Sequence, residues 1–202
     1  MKKNAITLLL ATLFVISAVA VVSGGSPEGE IPAPPAIGTT IDDFTLPDAE
    51  GKDRSLSSLK GKSGTVLIFV ATKCPVSNAY NERMEKLAQD FKARGVNVIG
   101  INSNVAESAD AVKAHAAENK LTFPIFKDPG NKIADRLGAT VTPEVYLLDG
   151  SNKLLYRGRI DNARDAAHVN SSELRDAIEA ALAGKPVAKT TAVAFGCTIK
   201  RA

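Results

Sequence analysis

The sequence predicts an α/β fold in which a mixed central β-sheet is flanked by helices. Five short apolar runs have the length of buried strands, and apolar residues spaced three or four apart between them indicate helices. The first two runs are joined by a helical segment, which makes a βαβ unit and therefore a parallel pair. The last two are joined by a short polar turn, which makes an antiparallel hairpin. Both kinds of pairing together define a mixed sheet.

The predicted strands are TVLIFV (65–70), VNVIGI (96–101), FPIF (123–126), EVYLL (144–148) and KLLYRG (153–158). The turn DGSN (149–152) joins the last two. Helices are predicted over Pro75–Arg94 and Ser108–Lys120, the first with an apolar face formed by Tyr80, Met84, Leu87, Ala88 and Phe91.

A third helix is predicted to begin after Asn170, a capping residue that has Glu173 three positions later. Gly184 and Pro186 are expected to end it.

The first 25 residues have the composition of a targeting segment. Lys2 and Lys3 precede an uncharged apolar run from Ile6 to Val22, and small residues follow. This run is long for the core of a signal peptide and short for a membrane span. Residues 1–25 are therefore expected to be a cleaved signal peptide or a retained membrane anchor, and the remaining chain to be exported to the periplasm or another extracytoplasmic compartment.

Residues 26–37 belong to a stretch rich in proline and glycine, which cannot bury a core and is expected to be a linker. Residues 38–202 are long enough for one domain with a proper core, followed by a tail that contains Cys197.

The charge balance argues against several classes of partner. The formal net charge is +3, and without Lys2 and Lys3 it is +1. Basic residues are scattered, and the chain has no tryptophan, so nucleic acid is not an expected partner. A membrane contact is expected only through the N-terminal segment. The sequence leaves open whether the chain forms a dimer.

Cys74 lies in ATKCPVSNAY (71–80), between an apolar strand and a predicted helix. Proline is well tolerated at the first position of a helix, so Pro75 makes Cys74 the residue that caps the helix. The free N–H groups there stabilise a thiolate, which is the nucleophilic form of cysteine. The alternative is a small apolar side chain packed beneath the helix.

The second cysteine, Cys197, lies 123 positions after Cys74. Two cysteines in an exported protein permit either a disulfide or two free thiols. The sequence has no C-x-x-C pair and no zinc-ligand pattern, and His115 and His168 are isolated. No metal and no cofactor is therefore expected; copper(I) would need soft ligands, of which the two thiolates are a poor set.

Three ordered segments resemble the redoxin branch of the thioredoxin fold, which contains the alkyl hydroperoxide reductase/thiol-specific antioxidant (peroxiredoxin-like) family and exported thiol oxidoreductases. IGTTIDDFTLPDAEGKDRSLSSLKGK (37–62) is similar to its opening hairpin, LIFVATKCP (67–75) to its active-site strand and turn, and TPEVYLLD (142–149) to its cis-proline strand. The resemblance implies a thioredoxin-like fold with an N-terminal hairpin extension.

The resemblance also implies site residues. Cys74 matches the nucleophile, and Pro143 with the backbone of Thr142 matches the platform that faces it. Pro143 precedes a buried strand, where a cis bond or an ordinary trans proline is permitted; the resemblance favours cis. Ser77 stands where a C-x-x-C protein has its second cysteine, and its hydroxyl can donate a hydrogen bond to the thiolate but cannot resolve a mixed disulfide.

Three further positions bear on peroxide chemistry. Peroxiredoxins have a threonine three residues before the nucleophile, where this chain has Ala71, with Thr72 one place away. Arg159 is a cation that could orient a peroxide, although a strand arginine is usually a solvated surface residue.

The functional hypothesis is an exported thiol-dependent oxidoreductase in which Cys74 attacks a peroxide or a disulfide and an unidentified thiol donates electrons. Cys197 is the only other sulfur nucleophile in the chain. A tail that folds back to form a disulfide with Cys74, and a tail whose cysteine is idle, both stay open. The alternative function is a non-catalytic thioredoxin-fold binding module tethered to the membrane.

Overall fold

The computed structural model describes residues 31–48 and 50–201. The predicted targeting segment (1–25) and the first part of the predicted linker (26–30) lie outside the described residues. None of the described helices is long and apolar enough to cross a membrane.

The centre of the fold is a five-stranded mixed sheet, as the sequence predicts. Its strands are β3 (Gly64–Phe69), β4 (Val96–Asn102), β5 (Ile125–Lys127), β7 (Glu144–Asp149) and β8 (Leu154–Gly158). Their order is β5-β4-β3-β7-β8, with β3, β4 and β5 parallel and β7 and β8 antiparallel to their neighbours. The remaining strands form two small sheets, β1 (Thr45–Pro47) with β2 (Asp53–Ser55) and β6 (Val141–Thr142) with β9 (Cys197–Thr198).

The helices are α1 (Leu56–Leu59), α2 (Pro75–Ala79), α3 (Asn81–Lys92), α4 (Ala109–Glu118), α5 (Lys132–Leu137) and α6 (Glu173–Leu182). The single helix predicted over Pro75–Arg94 is two helices divided at Tyr80. The prediction of Asn170 as a cap is wrong: Ser172 precedes α6, and Asn170 instead bonds to Asn162. The sequence analysis missed the short helices α1 and α5.

Both faces of the sheet are buried. Alternate side chains of β3 point to opposite sides, as the pleat requires. Val66 and Ile68 pack with α3 and α6 in one core cluster, while Leu67 and Phe69 join a second cluster with α5 and the N-terminal hairpin. The apolar face from Tyr80 to Phe91 lies in the first cluster, as predicted.

The segment just before the hairpin is attached to the domain. Gly38 N–H donates to the Leu154 carbonyl at 2.8 Å, and Ile41 N–H donates to the Asn152 carbonyl at 2.9 Å. Ile41 is buried, and Ile37, in the predicted linker, packs partly buried against the second cluster. The described end of the predicted linker therefore contacts the folded domain.

The C-terminal tail folds back over the domain after α6. It first runs beside β8, where Arg157 N–H donates to the Thr190 carbonyl at 3.0 Å and Ala192 N–H donates to the Arg157 carbonyl at 3.1 Å. A side chain at Gly158 would collide with the carbonyl of Ala192, so the close approach of the two segments requires glycine. Further on, β9 pairs with β6 and Ile199 is buried.

An ion-pair cluster fastens the start of the tail. The carboxylate of Glu173, almost fully buried, accepts hydrogen bonds from Arg159 and from Lys189 of the tail, the latter at 3.0 Å. Arg159 is therefore bound to Glu173 rather than solvated at the surface. Burial alone would raise the pKa of Glu173, but hydrogen bonds from Arg159, Lys189 and Ser171 outweigh it and lower the pKa to about 2.

Truncation tests where the domain begins. A chain that starts at Ile37 is expected to keep a cooperative thermal transition, because it retains the contacts of Gly38 and Ile41. A chain that starts at Asp42 loses the buried Ile41 and its backbone bonds, and its Tm is expected to fall by about 5 °C or more. Differential scanning calorimetry of the two truncations and the full chain measures this, and loss of the transition in the first truncation would contradict it.

Glu173→Gln tests the ion-pair cluster. A carboxylate whose folded-state pKa lies below its usual 4.5 contributes stability that is fully present above that pH and is lost as the pH falls toward about 2. The variant is expected to have a lower free energy of unfolding at pH 7 and a shallower loss between about pH 4.5 and 2.

Urea unfolding at several pH values measures both effects. Glu179→Gln is the matched control, since Glu179 also lies on α6 but pairs with Arg94 at the exposed surface. Equal pH slopes for the wild type and Glu173→Gln would show that the ion pairs do not stabilise the fold.

Candidate active site

Cys74 caps helix α2 at the carboxyl end of the central strand β3. Pro75 occupies the first turn of the helix, as predicted, and the backbone N–H of Ser77 donates to Cys74 Sγ at 3.3 Å. Only 3% of the Cys74 surface is exposed. The sulfur therefore lies beneath the surface, next to a backbone donor that would stabilise its thiolate.

Thr142, at the end of β6, faces Cys74 and is followed by Pro143. The Thr142–Pro143 peptide bond is cis, which confirms the prediction. The carbonyl oxygen of Thr142 lies 3.3 Å from Cys74 Sγ. In the reduced protein the Cys74 thiol could donate a hydrogen bond to this carbonyl.

Cys197 forms a disulfide bond with Cys74, with the two Cα atoms 5.8 Å apart. Of the two arrangements that the sequence left open, the structure has the folded-back tail. Cys197 pairs with Thr142 in the antiparallel β6–β9 ladder, and this pairing brings its sulfur to Cys74. Any side chain at Gly196 would collide with the Thr142 carbonyl, so the residue before Cys197 must be glycine.

The two cysteines differ in exposure. Cys74 is buried, whereas Cys197 is half-buried and lies between two exposed residues, Gly196 and Thr198. Cys197 is therefore the more solvent-accessible of the two cysteine residues.

Ser77 is buried, and its side chain has a contact that was not predicted. Its hydroxyl accepts a hydrogen bond from the backbone N–H of Ala71 at 3.2 Å, while the bond to the Cys74 sulfur comes from its backbone N–H. The hydroxyl thus ties the end of β3 to helix α2, a contact that the sequence could not reveal.

Thr72 contributes through its backbone. Its N–H donates to Glu107 Oε2 at 2.8 Å, and the neighbouring Lys73 N–H donates to Glu107 Oε1 at 3.2 Å. The Thr72 carbonyl accepts from Asn78 Nδ2 at 3.0 Å, and Asn78 Oδ1 lies 2.9 Å from His115 Nε2. These contacts hold the loop that precedes Cys74.

Burial lowers the pKa of His115, which favours the neutral ring.

Glu107 is a site residue that the sequence analysis missed. It is only 3% exposed and accepts hydrogen bonds from two backbone N–H groups of the loop and from the side chains of Asn102 and Asn104. Burial alone would raise the pKa of Glu107, but these donors outweigh it and lower the pKa, so the carboxylate stays charged. An acid in the polar segment NSNVAESAD has no sequence signal that separates it from a solvated one.

Comparison with known proteins agrees with this geometry. The family model described as the AhpC/TSA family matches residues 37–157. Peroxiredoxin Q of the Sedum lineare chloroplast is 35% identical over 135 residues, 60% of this chain and 69% of the relative. The thiol-disulfide oxidoreductase ResA of Geobacillus kaustophilus is 30% identical over 138 residues, 67% of this chain and 78% of the relative.

A solved structure of a hypothetical protein from Sinorhizobium meliloti 1021 extends the similarity beyond the family segment. It is 33% identical, superposes with a TM-score of 0.78, and covers 84% of this chain and 97% of its own. The fold is thioredoxin-like, with the turn that bears Cys74 and the cis-proline strand side by side. The chain belongs to the AhpC/TSA family.

Proposed function

We propose that the chain is a thiol-disulfide oxidoreductase that uses Cys74 as nucleophile and Cys197 as resolving thiol. One observation carries the proposal: the extended tail segment that pairs with Thr142 has its cysteine bonded to the sulfur of Cys74. The site therefore accommodates a cysteine-bearing strand in the geometry of disulfide exchange.

The reaction begins with the reduced protein. The Cys74 thiolate, stabilised by the Ser77 N–H, attacks one sulfur of a substrate disulfide. A new bond forms between Cys74 and that sulfur, the substrate disulfide breaks, and the second substrate sulfur leaves as a thiolate. The Cys197 thiolate then attacks Cys74 Sγ, forms the Cys74–Cys197 disulfide and releases the first substrate sulfur as a thiolate. The substrate gains the two electrons that the two cysteines lose.

A peroxide is the second candidate substrate, supported by the similarity to peroxiredoxin Q. The Cys74 thiolate would attack a peroxide oxygen, the O–O bond would break, and an alkoxide would leave and take up a proton. Cys197 would then displace hydroxide from the sulfenic acid and form the same disulfide. Ala71 in place of threonine, and Arg159 bound to Glu173, argue for disulfides as the preferred substrate.

Two thiols of an electron donor complete the cycle. The donor thiolate attacks Cys197, which is the more exposed cysteine residue, and Cys74 leaves as the thiolate that the Ser77 N–H stabilises. A second donor thiol then attacks the mixed disulfide, releases Cys197 and forms the donor disulfide.

The same proposal covers location and organisation. Residues 1–25 would export the chain or anchor it in the membrane, residues 26–37 would separate that segment from the domain, and residues 38–202 would act outside the cytoplasm, where disulfides persist.

Activity of three proteins tests the function. Wild type is expected to reduce insulin disulfides with dithiothreitol and to consume peroxide more slowly. Cys74→Ser is expected to lose at least about a hundredfold of the reductase rate, because no other nucleophile occupies the site. Cys197→Ser is expected to accumulate a mixed disulfide between Cys74 and the substrate. Wild-type rates equal to those of Cys74→Ser would favour a non-catalytic binding module.

The position of donor attack is tested with glutathione. Oxidised protein is mixed briefly with glutathione, quenched with acid, blocked with N-ethylmaleimide and digested with trypsin without reduction. Cleavage after Lys73 and Lys189 places the two cysteines on separate peptides. Glutathione is expected on the Cys197 peptide in roughly tenfold excess over the Cys74 peptide, because burial restricts access to Cys74.

Protein unfolded in urea is the control for this measurement. Both sulfurs are then exposed, and glutathione is expected on both peptides. A predominance of glutathione on Cys74 in the folded protein would overturn the assignment of the attacked sulfur while leaving the oxidoreductase function intact.

A further inference from the structure

The segment between β4 and α4 contacts both cysteine-bearing parts of the chain. On one side, Glu107 accepts the backbone N–H groups of Thr72 and Lys73, the two residues before Cys74. On the other side, Asn104 and Val105 contact Lys200, three residues after Cys197. Residues 104–107 therefore hold both of the segments that the disulfide joins, and they do so through separate hydrogen bonds.

The contact with the tail consists of two hydrogen bonds to the backbone of Lys200, one from a side chain and one from a backbone N–H. Lys200 N–H donates to Asn104 Oδ1 at 2.8 Å, and the Lys200 carbonyl accepts from Val105 N–H at 3.0 Å. On its opposite edge the tail pairs with β6, where Ile199 N–H donates to the Thr140 carbonyl at 2.9 Å. The tail thus runs between two backbone edges that do not depend on the sulfur–sulfur bond.

The two halves of the contact are linked by a side-chain hydrogen bond. Asn104 Nδ2 donates to Glu107 Oε1 at 3.0 Å. This bond orients the side-chain oxygen Oδ1 of Asn104 toward Lys200 N–H. Both side chains are more than nine-tenths buried, so competition from water is weak. The carboxylate that orders the nucleophile loop also orients the amide that holds the tail.

We infer that Asn104 and Glu107 are positioning residues that set the stability of the Cys74–Cys197 disulfide by holding the two segments it joins. The inference rests on the proposed resolving role of Cys197. After reduction, the attachment at Lys200 keeps the Cys197 thiol close to Cys74, so the disulfide re-forms within the molecule at a high effective concentration. Loosening the tail lowers that concentration and makes the disulfide easier to reduce.

The two residues have different expected signatures. Asn104→Ala removes the acceptor for Lys200 N–H and one donor to Glu107, but it leaves the bonds from Thr72 and Lys73 to Glu107 in place, so it acts mainly on the tail. Glu107→Gln presents an amide N–H₂ where the carboxylate accepts several donors, so it disturbs both the tail and the nucleophile loop.

The experiment measures the equilibrium between the full-length protein and glutathione at fixed pH, with the oxidised fraction determined by mass spectrometry after an acid quench. Asn104→Ala is expected to lower the effective concentration of Cys197 at Cys74 about tenfold, the loss of one or two buried hydrogen bonds. Asn97→Ala is the matched control, because Asn97 lies at the opposite end of β4 and its side chain hydrogen-bonds only to the Leu59 carbonyl among the described residues. Its equilibrium is expected to stay within about twofold of the wild type.

A second measurement separates positioning from general destabilisation. In a Cys197→Ser background, the alkylation rate of Cys74 is expected to change less with Asn104→Ala than with Glu107→Gln, because only the second variant replaces the acceptor of the Thr72 and Lys73 N–H groups. Equal shifts of the glutathione equilibrium in Asn104→Ala and Asn97→Ala, or no shift in Asn104→Ala, would overturn the inference. The comparison of Asn104→Ala with Asn97→Ala remains decisive even if Glu107→Gln fails to fold.

The equilibrium requires no substrate, so this result is independent of turnover. A protein that lacks reductase activity but shows the expected Asn104→Ala shift would contradict the proposed function and support the positioning role. A protein with full activity and no shift would support the proposed function and contradict the positioning role.

Discussion

The site depends on one short antiparallel contact, the pairing of Thr142 in β6 with Cys197 in β9. This ladder has two residues in each strand, and it alone would be a weak interaction. Before the ladder, the tail is held by the Glu173 ion pairs and by the bonds along β8. After the ladder, it is held by the contacts of Lys200 and by the burial of Ile199. Attachment at both ends makes a two-residue strand sufficient to place a cysteine beside Cys74.

The polar groups that lie against the Cys74 sulfur are mainly backbone groups. The N–H of Ser77 donates to the sulfur, and the carbonyl of Thr142 lies against it from the other side. Side chains act one step further away: the Ser77 hydroxyl ties the helix to the end of β3, and Glu107 holds the loop before the nucleophile. These buried side chains fix the backbone around Cys74, and through the backbone they fix the position of its sulfur.

The arrangement shows how a thioredoxin-like fold can place its second sulfur outside the C-x-x-C turn. Ser77 occupies the turn position and has a structural hydrogen bond there. The second cysteine comes instead from the tail, 123 residues later, through a glycine that allows contact with the Thr142 carbonyl. The tail cysteine is half-buried and Cys74 is buried, and this difference in residue exposure is the basis of their distinct roles in the proposed cycle.

The sequence by itself determined the sheet, the helix that follows Cys74 and the capping position of that cysteine, because apolar periodicity and Pro75 act over a few residues. Resemblance to the family identified the cis bond before Pro143. Neither the pattern nor the resemblance determined the break at Tyr80, whose hydroxyl bonds to the distant Asp161, or the start of α6 after Ser172, where Leu174 N–H bonds to the Ile160 carbonyl. The disulfide partner, the ion pair of Arg159 and the burial of Glu107 were decided only by tertiary structure. Each joins residues far apart in the chain, and a local pattern contains no information on such contacts.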